Sequence, residues 1–303
     1  MSAGGSVSDT GLSDVSRYYD LLHLWTRYNK GFRRFSGSEL HAVHRWLIDP
    51  DTGEFSPATI HNIILSSGAV GLPRMAIDAG CGYGGTMFAL HAKVGGDWHG
   101  LTVSRRQRAV GMKLAAERGL GSRITFARES FDVPQARACD FIVGIESLNH
   151  SADPARTIAN LSRALMPGGH IVIVDDMPEE NVASAFARDL EDLKKFWRFP
   201  AMPSAQRWSA VLAAAGCETV EMRDLSDLMR PRSEREISRA LDEVHARRHW
   251  RDRIGLRRIG EAEIGGLLLE RLGRERIVRY TMIVARKRDG AGYPPRRLSM
   301  TTS

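Results

Sequence analysis

A glycine-rich turn that directly follows a short apolar run constrains the fold of this chain more than any other feature. Met75, Ala76 and Ile77 lead into Asp78, and a helical pattern begins at Thr86. Glycines occupy positions 80, 82, 84 and 85. Glycine lets the backbone turn tightly and approach a ligand closely, and a helix start attracts polar ligand groups. The arrangement predicts a strand, a ligand-binding loop and a helix in one βαβ unit, and therefore an α/β fold.

Apolar, β-rich runs alternate with helical patterns from about residue 74 onward. They predict seven strands, at 74–78, 98–103, 124–127, 140–145, 170–175, 218–223 and 277–286. Alternation of strands with helices of this length is typical of a parallel sheet. We therefore expect a Rossmann-like, seven-stranded, mostly parallel sheet with helices on both faces.

Four further segments complete the predicted organisation. Residues 1–14 and 288–303 lack periodicity, and we expect both to be disordered. Residues 15–70, dense in aromatics and histidine, are predicted as a helical substrate cap, ahead of a main domain at 71–287. An arginine-dense helical insertion at 226–276 precedes the last strand. Ligands bind at the carboxyl edge of such sheets, so both helical segments are expected to cover that edge.

Composition limits the class of protein. The chain has 303 residues, a net charge of +7 and three widely spaced cysteines, so neither a disulfide framework nor a metal site is expected. It contains no apolar run of the roughly 18 residues that span a bilayer and no secretory leader pattern. We expect a soluble, cytoplasmic protein without integral membrane association. The positive charge suits nucleic acid, a membrane surface or an anionic small molecule.

The glycine loop alone leaves two other interpretations open. A turn without any ligand could carry the same glycines, and the loop also satisfies the GxGxxG pattern of dinucleotide sites. A dinucleotide site needs Asp or Glu about 20 residues further on for the ribose, and this chain has Thr102 there. Asp78 has no role in that pattern, whereas it could hold the amino-acid end of a different cofactor.

The run from Asp78 to Gly85 resembles motif I of the class I S-adenosylmethionine-dependent methyltransferases. The resemblance continues in order through 128–134, 139–143, 165–170 and 214–218, and the strand at 279–287 closes the sheet. It implies S-adenosylmethionine as cofactor. The cofactor-binding residues that it implies are Asp78, Gly80, Cys81, Gly82, Gly84, Thr102, Val103, Gln107, Glu129, Ser130, Phe131 and Ile145.

Two motifs resemble one branch of that family. The run from Gly100 to Gln107 looks like the GxTxSxxQ pattern of cyclopropane fatty acid synthases and of sterol, tocopherol and geranyl diphosphate C-methyltransferases. The segment from Glu146 to His150 is similar to their Glu-containing segments. An alkene that attacks a methyl group leaves a carbocation, which must lose a proton. We therefore predict Glu146 and His150 as catalytic, although Glu146 could cap a helix and His150 could satisfy loop backbone.

Aromatic residues are the candidates for binding an isoprenoid and stabilising its cation. The predicted substrate-binding residues are Tyr19, Trp25, Tyr28, Phe32, Arg33, Phe35, Trp197 and Trp208. The two tryptophans could instead pack helices, and Arg33 could be a solvated surface residue. The positive charge favours a prenyl diphosphate as acceptor, with Mg²⁺ possible beside the diphosphate.

The sequence thus predicts methylation of an alkene carbon of an isoprenoid, through a carbocation that is then deprotonated. The alternative is an O- or N-methyltransferase of a small metabolite. Nucleic acid is not expected as a partner, because the fourth strand is followed by Ile-Glu-Ser-Leu-Asn rather than Asn/Asp-Pro-Pro-aromatic. A regulatory protein without catalysis is a further interpretation, which the intact glycine loop disfavours. A homo-oligomer is possible.

Overall fold

The computed structural model describes residues 44–247 and 257–290. In these ranges nine strands are formed: β1 Leu47–Ile48, β2 Phe55–Ser56, β3 Met75–Ala79, β4 Asp97–Thr102, β5 Ile124–Arg128, β6 Cys139–Ile145, β7 Leu165–Pro178, β8 Cys217–Asp224 and β9 Val278–Lys287. The described α-helices are α1 Thr59–Ser66, α2 Gly85–Val94, α3 Arg105–Glu117, α4 Pro154–Ala164, α5 Ser184–Trp197, α6 Ala205–Ala214, α7 Glu234–Ala246 and α8 Arg257–Arg274.

Seven of the strands form one sheet in the order β5-β4-β3-β6-β7-β9-β8. Strands β3 to β7 pair in parallel, whereas β9 lies antiparallel between β7 and β8. The predicted seven-stranded, mostly parallel sheet is therefore confirmed. Strand β7 continues to Pro178, beyond its predicted end at residue 175, because β9 pairs with it along this extension.

The sheet has a hydrophobic core on each face, because successive strand residues point to opposite faces. Val172 and Val174 face a cluster shared with α1, α2 and α3, while Ile171 and Ile173 face a cluster shared with α4 and α6. All four side chains are almost completely buried. Helices on both faces thus leave only the strand ends open to ligands.

The insertion before β9 is helical where the structure describes it and packs on α5. Helix α8 lies so close to α5 that a Cβ added at Gly265 would lie 2.3 Å from Cδ1 of Trp197. Helix α7 begins with a capping box, in which Ser233 and Glu236 bond each other's backbone N–H. No helix in the two described ranges combines the length and the apolar composition of a bilayer-crossing segment.

The described end of the predicted helical cap differs from the prediction. Residues 47–56 form the antiparallel hairpin β1–β2, and only α1 is helical in this part. The turn is fixed locally: the Asp49 side chain accepts from the N–H groups of Asp51 and Thr52, and Gly53 has a φ of 71°. These turn contacts favour a hairpin over a helix here.

Candidate functional site

A cleft of about 970 Å³ lies at the carboxyl ends of β3, β4 and β6. Every predicted cofactor-binding residue except Gly84 lines it, as do Glu146 and His150. Residues separated by more than 70 positions in the chain meet here because parallel strands end at one edge. His44, Thr86 and Ser147 line the cleft as well and were not predicted from the sequence.

The glycine loop forms one wall of this cleft. The N–H groups of Gly80 and Cys81 both bond the carbonyl of Leu101, at 3.0 and 2.9 Å. Gly82 has a φ of 54°, and a Cβ added there would meet no atom closer than Nε2 of Gln107, at 4.0 Å, so its bare backbone opens on the cleft. Gly84 instead begins α2, and a Cβ there would lie 2.6 Å from the ring of Phe126. Gly84 therefore serves the packing of the turn.

Asp78 is a buried carboxyl group with one unsatisfied oxygen. Its Oδ2 accepts no hydrogen bond from the described residues, although the side chain is only 3% exposed and lines the cleft. Burial raises its pKa to about 7. A buried, unpaired carboxyl group is costly unless a ligand supplies a donor or a positive charge. This orphaned oxygen fits the ammonium end of an amino-acid-bearing cofactor.

The predicted GxTxSxxQ motif forms a local hydrogen-bond network. Thr102 donates its hydroxyl to Oε1 of Gln107 at 2.8 Å, and Oγ of Ser104 caps α3 by accepting from the N–H of Gln107 at 3.1 Å. All three side chains are buried. The network fixes the Gln107 amide beside the glycine loop, where its Nε2 is a donor. Hydroxyl and amide groups thus stand where a dinucleotide site would place an acid.

Glu146 directly follows β6 and adopts a left-handed conformation, with a φ of 50°. Such a conformation is uncommon outside glycine and is often found at functional sites. Its Oε1 accepts from the backbone N–H of Arg45 at 2.8 Å and from the hydroxyl of Tyr280 at 2.9 Å. Its Oε2 receives no hydrogen bond from the described residues. One oxygen of the carboxylate is therefore held and the other remains available at the cleft.

Two more buried acids lie behind Glu146 at the end of β7. The guanidinium of Arg45 forms a bidentate pair with Asp176, with N···O distances of 2.6 and 2.5 Å. Asn149 donates its side-chain amide to Asp175 at 2.8 Å, and burial followed by the charge of Asp176 raises the pKa of Asp175 to about 8. Asp175 is thus neutral at neutral pH and Arg45 balances Asp176. The carboxylate of Glu146 is the remaining negative charge of the group.

His44 and His61 form a buried pair at the same edge. Nδ1 of His44 lies 3.0 Å from the carbonyl oxygen of Arg45, so it must carry the proton and donate. Nε2 of His44 is therefore the acceptor, at 3.2 Å, for Nε2–H of His61, which leaves Nδ1 of His61 bare and without a partner. Burial lowers the pKa of His61 to about 3. Both ring nitrogens of His44 are engaged, so His44 shapes the wall of the cleft.

His150 is held in one orientation by the segment that follows α5. Its Nδ1 lies 3.2 Å from the carbonyl oxygen of Arg198, which makes Nδ1 the donor and Nε2 the acceptor nitrogen. Its ring packs edge-on against Phe199, with centroids 4.9 Å apart. Burial lowers the pKa of His150 to about 4, so the imidazole is neutral at physiological pH. It can accept a hydrogen bond or a proton.

The predicted aromatic substrate residues are not brought together in the described structure. Trp208 is completely buried among Ile158, Leu161 and Leu212, where it packs α6 onto the sheet and does not reach the cleft. Trp208 therefore lies where helix packing, the alternative to substrate binding, would place it. Trp197 contacts α8 and lies behind Phe199, with ring centroids 5.8 Å apart, and does not line the cleft. The remaining predicted substrate residues, Tyr19, Trp25, Tyr28, Phe32, Arg33 and Phe35, lie outside the described residues.

The charged residues that line the cleft are acidic. Asp78, Glu129, Asp132 and Glu146 line the cleft, whereas none of the described lining residues is lysine or arginine. Within residues 44–247 and 257–290, no group of three or more His, Cys, Asp or Glu side chains is arranged to hold a metal ion. The described walls therefore suit a ligand with a positive charge near Asp78 and Glu146.

Known methyltransferases are similar to this chain in sequence. A family model described as a methyltransferase domain matches residues 69–222. The chain is 27% identical over 236 residues to methyltransferase GfsG of Streptomyces halstedii, covering 75% of this chain and 81% of that one. It is 27% identical over 203 residues to the chloroplastic tocopherol O-methyltransferase of Arabidopsis thaliana, covering 64% of this chain. The alignment spans only 56% of the Arabidopsis protein.

Among solved structures, the chain resembles geranyl diphosphate C-methyltransferase from Streptomyces coelicolor A3(2). The TM-score is 0.68 at 15% sequence identity, and the alignment covers 93% of this chain and 99% of that one. That structure contains Mg²⁺, geranyl-S-thiolodiphosphate and S-adenosyl-L-homocysteine. At this identity the likeness concerns the fold.

Proposed function

This chain belongs to the S-adenosylmethionine-dependent methyltransferases of the small-molecule branch, and from that premise we propose that it methylates an alkene carbon of an isoprenoid. The proposed acceptor attacks the methyl group through its double bond, becomes a carbocation and then loses a proton. Glu146 is the proposed proton acceptor. The acid at this position, held at one oxygen in a cleft whose described lining contains no lysine or arginine, is the observation that carries the proposal.

The residues present fit the cofactor. S-adenosylmethionine supplies a methyl group activated by a sulfonium, together with an ammonium and ribose hydroxyls. Asp78 would hold the ammonium, because its orphaned oxygen needs a donor. The amide of Gln107 would serve the ribose, and the bare backbone at Gly82 leaves room for close approach. Ser130 and Phe131 would border the opposite end of the cofactor.

Charge complementarity supports the carbon acceptor. A carbocation in a cleft is stabilised by a nearby carboxylate and destabilised by cations. Glu146 contributes a negative charge, while His44 and His150 are held neutral by burial, which lowers the pKa of each. The same carboxylate can accept the proton, so one residue serves both the cation and its removal.

A prenyl diphosphate is the proposed first acceptor. The net charge of +7 and the structural likeness to a geranyl diphosphate C-methyltransferase support it. The described lining contains no lysine or arginine. Arg33, which the sequence predicts as substrate-binding and which lies outside the described residues, is therefore the proposed contact of the diphosphate. When the acceptor carries a diphosphate, Mg²⁺ would neutralise part of its charge. No group of three or more His, Cys, Asp or Glu side chains in the described ranges is arranged to hold that ion.

A small-molecule O-methyltransferase is the second candidate. The Arabidopsis relative is named as a tocopherol O-methyltransferase, and His150 lines the cleft as a neutral imidazole. In this mechanism no cation forms on carbon. Glu146 would then orient the acceptor, and His150 would be the base.

Transfer of a labelled methyl group to a panel of acceptors tests the proposal. The panel contains prenyl diphosphates of several lengths, the corresponding prenyl alcohols, phenols and amines. We expect label on carbon in a prenyl diphosphate, and loss of that product in Glu146→Gln. Transfer to oxygen or nitrogen alone, with His150→Ala inactive and Glu146→Gln active, would overturn it in favour of the second candidate.

A further inference from the structure

Resting on the proposed function of Glu146, we infer that Tyr280 is a positioning residue for the reaction. Tyr280 lies on β9, 134 residues from Glu146, and donates its hydroxyl to Oε1 of Glu146 at 2.9 Å. It does not line the cleft and therefore does not contact a ligand there. Its role is to hold the Glu146 carboxylate by one oxygen, in a fixed position at the cleft.

The geometry around Tyr280 leaves its hydroxyl no other described partner. The residue is completely buried, and its ring lies 4.8 Å from the guanidinium carbon of Arg45 in a cation–π contact. Burial favours the protonated phenol and raises its pKa well above the ordinary value. Tyr280 is thus a permanent donor rather than a base. Because a donor to a carboxylate oxygen stabilises the charged form, it keeps Glu146 ready to accept a proton.

The charged groups around Glu146 come from three elements. His44 and Arg45 approach from the segment before β1, Asp175 and Asp176 from the end of β7, and Tyr280 from β9. Asp175 is neutral at neutral pH, and Asp176 is paired with Arg45. The Tyr280 hydroxyl and the Arg45 N–H are the two groups that bond the carboxylate directly.

A Tyr280→Phe variant tests this inference, because it removes only the hydroxyl. We expect kcat to fall by about 10- to 100-fold, as for loss of a hydrogen bond to a charged group, with KM and S-adenosylhomocysteine affinity unchanged. The pH profile of the rate should change as well, because the hydroxyl that donates to the Glu146 carboxylate is lost. With a prenyl acceptor, misplaced deprotonation should also raise the share of isomeric alkenes among the products.

Ser226→Ala is the matched control. Oγ of Ser226 accepts from the backbone N–H of Tyr280 at 3.1 Å, so this variant weakens the same residue's support without changing its hydroxyl. We expect an unchanged pH profile and product ratio in this control. Equal effects in both variants would show that Tyr280 acts only through packing and would overturn the inference.

A double variant separates this inference from the proposed function. If Glu146→Gln reduces turnover by roughly 100-fold or more and Tyr280→Phe leaves kcat and the pH profile at wild-type values, Glu146 is the base and the inference about Tyr280 is wrong. If Glu146→Gln retains full activity, the proposed function itself fails. The inference is supported if Tyr280→Phe causes no further fall in kcat in the Glu146→Gln background. This double-mutant comparison remains valid when the variants lose some stability.

Discussion

At the scale of single residues, the site depends on carboxyl groups whose environments differ. Asp78 has an unpaired oxygen, Asp175 bonds an amide, Asp176 is paired with Arg45, and Glu146 is held at one oxygen. The same functional group is therefore set to different tasks by its neighbours. Asp78 and Glu146 line the cleft and are the two for which we propose contact with ligands.

Glu146→Gln should reduce methyl transfer by roughly 100-fold or more, the usual worth of a positioned general base. Binding of S-adenosylhomocysteine should change little, because the amide keeps the size of the side chain. Single-turnover rates and calorimetry measure the two effects. Loss of cofactor affinity with an unchanged rate would assign Glu146 to binding instead.

The affinity for S-adenosylhomocysteine should depend on pH through Asp78. In the ligand-free protein burial raises the pKa of Asp78 to about 7, so this carboxyl group is protonated in acid and gains its charge as pH rises. An ammonium ligand binds the charged form, and the affinity should increase by up to about tenfold per pH unit below that pKa and level off above it. Asp78→Asn should bind weakly and without this dependence. Calorimetry between about pH 5 and pH 8 covers the range around that pKa, and a slope that persists in Asp78→Asn would contradict the assignment.

At the scale of elements, the wall beyond His150 depends on the contact between α5 and α8. Trp197 donates its indole N–H to the carbonyl of Ala262 at 3.0 Å and lies against Gly265. Phe199 then connects this contact to His150. The helical insertion thus supports the cleft without contributing a described lining residue.

Gly265→Ala should destabilise the protein by about 1–3 kcal/mol, because the new methyl group would overlap the Trp197 ring. Gly266→Ala is its control on the same helix: its Cβ would lie 3.6 Å from Trp197, an ordinary contact. There the higher helix propensity of alanine should leave stability unchanged or raise it by up to about 1 kcal/mol. Denaturant unfolding measures the stability of both variants. If Gly265→Ala is no less stable than Gly266→Ala, the close packing of α5 and α8 is absent in solution.

Trp208→Ala should lower the free energy of unfolding by about 3–5 kcal/mol, the cost of a large cavity in a core. The effect on KM for the acceptor should be negligible in the fraction that remains folded, because the indole does not reach the cleft. Denaturant unfolding and steady-state kinetics at low temperature provide the comparison. A selective rise in KM would return Trp208 to the substrate site.

At the scale of the whole molecule, local pattern was enough to predict the sheet and the glycine loop. Strand and turn preferences depend on neighbouring residues, so the ends of the seven strands were predicted to within a few residues. The support of Glu146 was not predictable, because Arg45 and Tyr280 lie 101 and 134 residues away from it in sequence. His44 gave no signal beyond the aromatic and histidine density of residues 15–70. Trp208 was predicted at the substrate site with helix packing as the alternative, because its residue type suits a core as well as a cation site, and it lies in the core.

Ligand-induced stabilisation should distinguish the cofactor class in the intact protein. S-adenosylhomocysteine at about 100 times its Kd should add about 2.7 kcal/mol of stability and raise Tm. NAD⁺ should have no effect, because Thr102 and Gln107 replace the acid that a dinucleotide ribose needs. Thermal unfolding with each ligand measures this. A larger shift with NAD⁺ would contradict the assigned cofactor.

The antiparallel strand β9 gives the molecule a further property. Strand β8 ends and β9 begins at the edge where the cleft opens, and the helices α7 and α8 lie between them in the chain. Because both ends of the connection between β8 and β9 lie at the same edge of the sheet, its length can change without altering the order of the strands. The sheet that carries the glycine loop can therefore stay unchanged while the connection between β8 and β9 varies in length and sequence.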